Sequence, residues 1–179
     1  MTIQANNYKL FLKTDLFDEK NSNLKIEYTG ESYLICSYNY SNKDSYLNTL
    51  KNAFYAGTKQ FIINPQQYLK LIKLAKDYNL KPKTIEFNDE IDEEDQAYIN
   101  DLLAKFVQYD LIKADINNPL DEEINNFDLN QDIIPKKLLI SKDGDSISIF
   151  NNGVLHTDNI EIFEYLNPIF SQLADEVNQ

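Results

Sequence analysis

The chain has only four glycines, Gly30, Gly57, Gly144 and Gly153, and each stands between two short runs of apolar residues. A chain divided this way is limited to short strands and helices joined by tight connections. Leu24-Lys25-Ile26-Glu27-Tyr28 alternates, Thr29-Gly30-Glu31 offers a turn, and Tyr33 to Tyr40 alternates again, which is a β-hairpin pattern. Lys142-Asp143-Gly144-Asp145 sits between Leu138-Leu139-Ile140 and Ser146-Ile147-Ser148-Ile149-Phe150 as a second hairpin. Asn151-Asn152-Gly153 then makes another turn before Val154-Leu155-His156. Gly57 has a different task. It follows a helix with Ser41 as N-cap and Asp44 at the third helical position, whose Tyr46, Leu47, Leu50, Ala53 and Phe54 share a face. There it supplies the left-handed residue that ends a helix.

Tyr8 to Lys13 fits a strand or a short helix, and Phe61-Ile62-Ile63 a short strand. Asn64-Pro65-Gln66-Gln67 is the clearest helix start, a capping Asn before Pro at the first helical position. The helix it opens runs to about Tyr78, with Tyr68, Leu71, Ile72 and Ala75 inward and Lys70, Lys73 and Lys76 outward. Thr84 to Phe87 is the next strand, so residues 61–87 read as a βαβ unit. A helix over Gln96 to Leu111 is expected to bury Tyr98, Leu102, Phe106 and Val107. Residues 112–134, polar and rich in Asn, read as a long loop with one turn near Leu120–Ile124. Asp158 with Glu161 opens a last helix that Pro168 restarts after Asn167. The expectation is an α+β (mixed α/β) single domain over 1–179, with a central mixed sheet, hairpins, the βαβ unit and helices packed on it. Residues 24–56 and 138–173 share the order strand, Gly turn, strand, capped helix, which raises an internal repeat.

A hydrophobic content of 42%, with 12 Tyr and 10 Phe, supplies a real core. No run approaches 18 apolar residues, and Met1 to Asn7 lacks the regions of a signal peptide, so no membrane association and a cytoplasmic location are expected. The single Cys36 alternates with Leu34 and Tyr38 on one strand face and reads as a small core residue.

Every one of the 17 basic residues is lysine. Arginine loss with abundant Asn fits the codon bias of an AT-rich genome, a low-GC bacterium or its phage. It also removes bidentate guanidinium recognition of phosphate and guanine. The net charge of −12 is unevenly placed. Residues 1–85 carry 12 Lys against 7 acids, whereas residues 86–132 carry 15 acids against Lys105 and Lys113. The acidic helix-loop segment at 86–134 therefore holds more than the whole net charge. It divides into Asp89-Glu90-Ile91-Asp92-Glu93-Glu94-Asp95 and a second block from Asp115 to Asp132 that includes Asp121, Glu122 and Glu123. The lysine face of the 66–78 helix is the only basic patch, and the negative overall field disfavours direct nucleic-acid binding.

No GxGxxG, GxxxxGK[ST] or GxSxG is present. One histidine and one cysteine do not make a zinc site of the usual kind. Asp143 and Asp145 carry the right atoms for a hard cation, but the calcium-loop spacing is absent. Catalytic, metal and cofactor residues are therefore expected to be none. Leu50 to Pro65, with Ala56-Gly57 and Ile63-Asn64-Pro65, resembles the helix–Gly–strand–Asn-Pro stretch of SseB-like domains. That resemblance implies an accessory or binding domain without catalytic residues.

The resulting expectation is a non-enzymatic binding or inhibitor protein, of the immunity-protein or DNA-mimic kind, that engages a basic site on a protein partner. Its contact residues are expected to be Asp89, Glu90, Asp92, Glu93, Glu94, Asp95, Asp121, Glu122 and Glu123, with Tyr98 and Tyr109 as aromatic anchors. The alternatives are a carboxylate-dependent, metal-assisted enzyme using Asp143, Asp145 or the acidic loop, and an accessory domain whose acidity serves solubility alone.

Overall fold

A computed structural model describes residues 6–108 and 119–177. Strand β1 spans Asn6–Lys13, so the first apolar run is extended. The first hairpin follows as β2 (Ile26–Thr29) and β3 (Tyr33–Tyr38), with a bulge between Ile26 and Tyr28. Helix α1 (Lys43–Tyr55) is capped by Asn42 rather than Ser41, because the Asn42 carboxamide accepts from the backbone N–H of Asp44 and Ser45. Gly57 has φ +83°, and a Cβ there would meet the Leu16 carbonyl at 2.4 Å, so the site requires glycine twice over.

Strand β4 (Thr58–Gln60) precedes α2 (Pro65–Asp77), which opens on a full capping box between Asn64 and Gln67. Then come β5 (Lys81–Phe87), α3 (Glu93–Gln108) and α4 (Pro119–Gln131). Strands β6 (Pro135–Lys142), β7 (Asp145–Phe150) and β8 (Val154–Thr157) lead to α5 (Ile162–Val177). The strands form one sheet in the order β2-β3-β1-β8-β7-β6-β5, with β4 attached to β1.

The α+β class holds, with helices packed on one sheet. The sheet is antiparallel in every described pairing, not mixed. The βαβ unit is absent as a pairing: β4 joins β1 and β5 joins β6, so the strands flanking α2 are not neighbours. Phe61–Ile63 is not a ladder strand. Its amides reach out singly, Phe61 N–H to the Leu10 carbonyl and Ile63 N–H to that of Asn151, while Phe61 and Ile63 are buried.

The two faces of the sheet differ. Tyr8, Leu10 and Leu12 of β1 point into the main core with Ile147, Ile149 and Leu155, and α2, α3, α4 and α5 cover that side. Tyr68 of α2 fixes the layer by donating its hydroxyl to the Lys136 and Ile149 carbonyls at 3.1 Å. The opposite face carries a small cluster of Phe11, Leu34, Cys36 and Ala53, where α1 is the packed helix. Helices α1 and α5 thus pack on opposite faces, and the second stretch has three strands to the first one's two, so the two stretches are not copies of one packed unit.

Two helices depart from expectation. Residues 119–131 of the expected loop form α4, with Pro119 in its first position and Leu120, Ile124 and Phe127 buried at helical spacing. Helix α5 runs unbroken through Pro168. An interior proline costs about 3 kcal/mol. Burying Ile162, Phe163, Leu166, Ile169, Phe170 and Leu173, at about 1.5–3 kcal/mol each, outweighs it.

Candidate functional site

The first acidic block forms the connection from β5 into α3. Ile91 tucks against the core, and Gln96 donates its side-chain amide to the Ile85 carbonyl of β5 at 3.1 Å, so the connection is held at both ends. Around these anchors Asp89, Glu90, Asp92, Glu93, Glu94 and Asp95 are all exposed. None of the six makes an ion pair with a cation among the described residues. Glu93, Glu94 and Asp95 fill the first turn of α3, where carboxylates favour the helix dipole. Tyr98, one turn on, is 47% exposed; α3 buries Ile99 and Leu103 instead, with Leu102, Phe106 and Val107 half-buried.

The second block is used differently. Asp121 is half-buried and its carboxylate takes Lys73 of α2. Lys70 pairs with Glu176 of α5, and Lys76 lies 4.9 Å from the centre of the Phe106 ring. The lysine face of α2 is therefore engaged by its neighbours rather than left to solvent, and Asp121 serves this internal contact. Glu122 is exposed and Glu123 half-buried. Tyr109 and Asp115 lie outside the described residues.

The other candidates are placed as follows. Asp145 accepts from the Asn159 carboxamide at 2.9 Å, and Asp143 lies 3.5 Å from Lys142 in the hairpin turn. Among the described residues no three His, Cys, Asp or Glu side chains are grouped to hold a metal ion. Cys36 is fully buried, and burial pushes its thiol up to about 12.

The sheet also forms a groove that sequence reasoning missed. Where α1 stops short, the uncovered face of β8, β7 and β6 and the start of α1 enclose about 780 Å³. Strand register lays Tyr38, Asn7, His156 and Ser148 in one row across β3, β1, β8 and β7. His156 Nδ1 lies 3.1 Å from the Asn7 side-chain oxygen, so the lone histidine is tied into this floor. Tyr38, Tyr40 and Tyr46 form an aromatic wall, the rings of Tyr38 and Tyr46 being 4.9 Å apart. Burial and the neighbouring tyrosines push the Tyr38 hydroxyl up to about 12, keeping it a neutral donor. Lys43 and Lys137 also line the groove, and among the described residues no carboxylate does.

Beside it, on the same face of β1 as Asn7, is Lys9, fully buried, whose ammonium donates to the carbonyl of Asn152, a lining residue. The Phe11 ring lies 5.6 Å away, and no carboxylate among the described residues pairs with Lys9. Burial lowers its pKa to about 8. The signal for this site was the alternation Ser146-Ile147-Ser148-Ile149, which marks β7 as polar on one side.

The chain matches no protein-family model, no curated protein and no solved structure. Among the described residues no helix is long and apolar enough to cross a membrane.

Proposed function

We propose that this chain is a non-catalytic binding protein that presents the acidic edge between β5 and α3 to a basic site on another protein. One contrast carries the reading. Glu86, Asp101, Asp121 and Glu176 are each paired with a lysine of the chain, whereas Asp89, Glu90, Asp92, Glu93, Glu94 and Asp95 are exposed and have none among the described residues. Six carboxylates in seven residues repel one another, and a basic surface relieves that repulsion on contact. Their field also accelerates encounter and fixes orientation. Tyr98 stands on the same helix as an aromatic anchor. Occupying the basic site of a toxin or of a nucleic-acid enzyme is the form of inhibition this surface suits. The resemblance of residues 50–65 to SseB-like domains agrees with binding without catalysis.

The test is the combined variant Asp89→Asn, Glu90→Gln, Asp92→Asn, Glu93→Gln and Glu94→Gln, with circular dichroism to confirm that α3 remains helical. Partners recovered by the wild type are identified, and their association rates measured across ionic strength. The wild-type rate should fall steeply as salt shortens the screening length from about 30 Å at 0.01 M to about 8 Å at 0.15 M. The variant should associate slowly with little salt dependence. Equal rates and equal salt slopes would reduce the acidic edge to a solvated surface.

A further inference from the structure

We propose that the groove between α1 and the open face of the sheet binds a small aromatic anion, its ring against the tyrosine wall and its phosphate or carboxylate toward Lys43 and Lys137. The site is separate from the acidic edge, and the inference does not depend on it. Its size falls within the range of small-molecule pockets, about 300–1,000 Å³, and suits a ligand as large as a mononucleotide. The charge of the lining sets the sign of the ligand. The chain has 29 acids against 17 lysines, yet among the described residues two lysines and no acid line the groove.

Lys9 is the second, independent observation. An ammonium removed from water is costly unless an anion accompanies it, and the described residues give Lys9 one carbonyl and a ring face but no carboxylate. An anion in the groove would be the missing counter-charge, one residue away through Asn152. The floor is rich in hydrogen-bonding groups, with Asn7, Ser148 and His156 in a row, which orients a ligand. Lysine binds phosphate or carboxylate as a point charge, so the absence of arginine is no obstacle. Lys137 is shared: Glu86 on the neighbouring strand holds it at 2.6 Å, and an anion in the groove must compete with that carboxylate.

Nitrogen-15 NMR titrations of the full chain test this with adenosine 5′-monophosphate, phenyl phosphate and benzoate, against adenosine, phenol and inorganic phosphate. Saturable shifts at Asn7, Ser148 and His156 are expected with the aromatic anions. The neutral analogues and bare phosphate should bind at least about tenfold more weakly. Phenyl phosphate against benzoate tells which anion the lysines prefer. Lys43→Gln should weaken binding by about tenfold, the weight of one charge-assisted hydrogen bond. Glu86→Gln should tighten it by releasing Lys137, a gain that a purely structural residue would not give. The proposal is overturned if aromatic anions at about 10 mM leave these amides unmoved, if adenosine or phenol binds as well as its anion, or if neither substitution changes affinity.

Discussion

Lys9 allows the burial of the sheet to be measured through pH. Its ordinary pKa is 10.5 and the folded chain lowers it to about 8, a difference worth about 3 kcal/mol against the folded ammonium. The folded state therefore binds fewer protons at Lys9 than the unfolded state does between about pH 8 and 10.5. The Lys9 contribution to stability rises with pH across that window, at up to about 1.4 kcal/mol per pH unit, while the buried Cys36 thiol, pushed up to about 12, acts in the opposite sense and is common to the wild type and a Lys9 variant. From pH 7 to 9.5 the slope is fully developed over about one and a half units, giving a gain of about 2 kcal/mol. Tyr33, Tyr68 and Tyr38 have folded pKa values pushed upward by burial, and an unfolded tyrosine titrates near 10, so they stay protonated in both states below about pH 9.5. Lys9→Met keeps the length of the side chain and removes the charge. Urea unfolding of both proteins at half-unit steps should show the wild type gaining about 2 kcal/mol on the variant between pH 7 and 9.5. Parallel stability curves would mean that Lys9 reaches solvent or a counter-charge in the folded chain, and the argument from its burial would fall.

Two further outcomes follow from the same packing. Gly144→Ala should cost about 1–2 kcal/mol, for the left-handed backbone alone, because nothing lies within 4 Å of the added Cβ. Gly57→Ala should cost clearly more, because its Cβ also meets the Leu16 carbonyl; equal urea midpoints for the two variants would contradict the close approach. Cys36 should react with a thiol reagent only as fast as the chain opens, since it is fully buried and its thiol is pushed up to about 12. Rapid native-state labelling would show that α1 does not cover that cluster.

Hairpin positions, the Asn64-Pro65 helix start and the buried face of α2 were legible because each is fixed by neighbours in the chain: turn residues, a cap, a 3.6-residue period. Partners across the sheet were not. The run Phe61–Ile63 has strand composition and continues β4, but whether its amides join a ladder depends on which strand arrives beside it, and β1 from Lys9 back to Asn6 is already paired with β8. Helix α4 was legible in principle. Leu120, Ile124 and Phe127 hold helical spacing, and Pro119 suits a first helical position. The Asn-rich polar residues between them obscured this, since their weak helix propensity is overridden only once the three apolar residues meet the core.

The groove and the two acidic blocks share one cause of concealment, which is that sequence gives charge and period but not apportionment. Alternation in β7 and β8 shows that one side is polar; it does not show that, among the described helices, α1 alone packs there while four pack opposite. Composition likewise treats Asp121 and Asp92 alike. Asp121 falls within reach of Lys73 because α4 packs against α2, and that contact uses its charge inside the chain. Asp92 sits where β5 turns into α3, at the margin of the sheet, with no described lysine within pairing distance. What separates an acid used inside the chain from one left exposed is therefore whether a lysine falls within its reach, from a packed helix for Asp121, a paired strand for Glu86 or the next turn for Asp101. Lys137 shows the same logic from the cationic side: its position on β6 gives it Glu86 across the strand pair and the groove on its own face, so that one ammonium is poised between an internal carboxylate and an external anion.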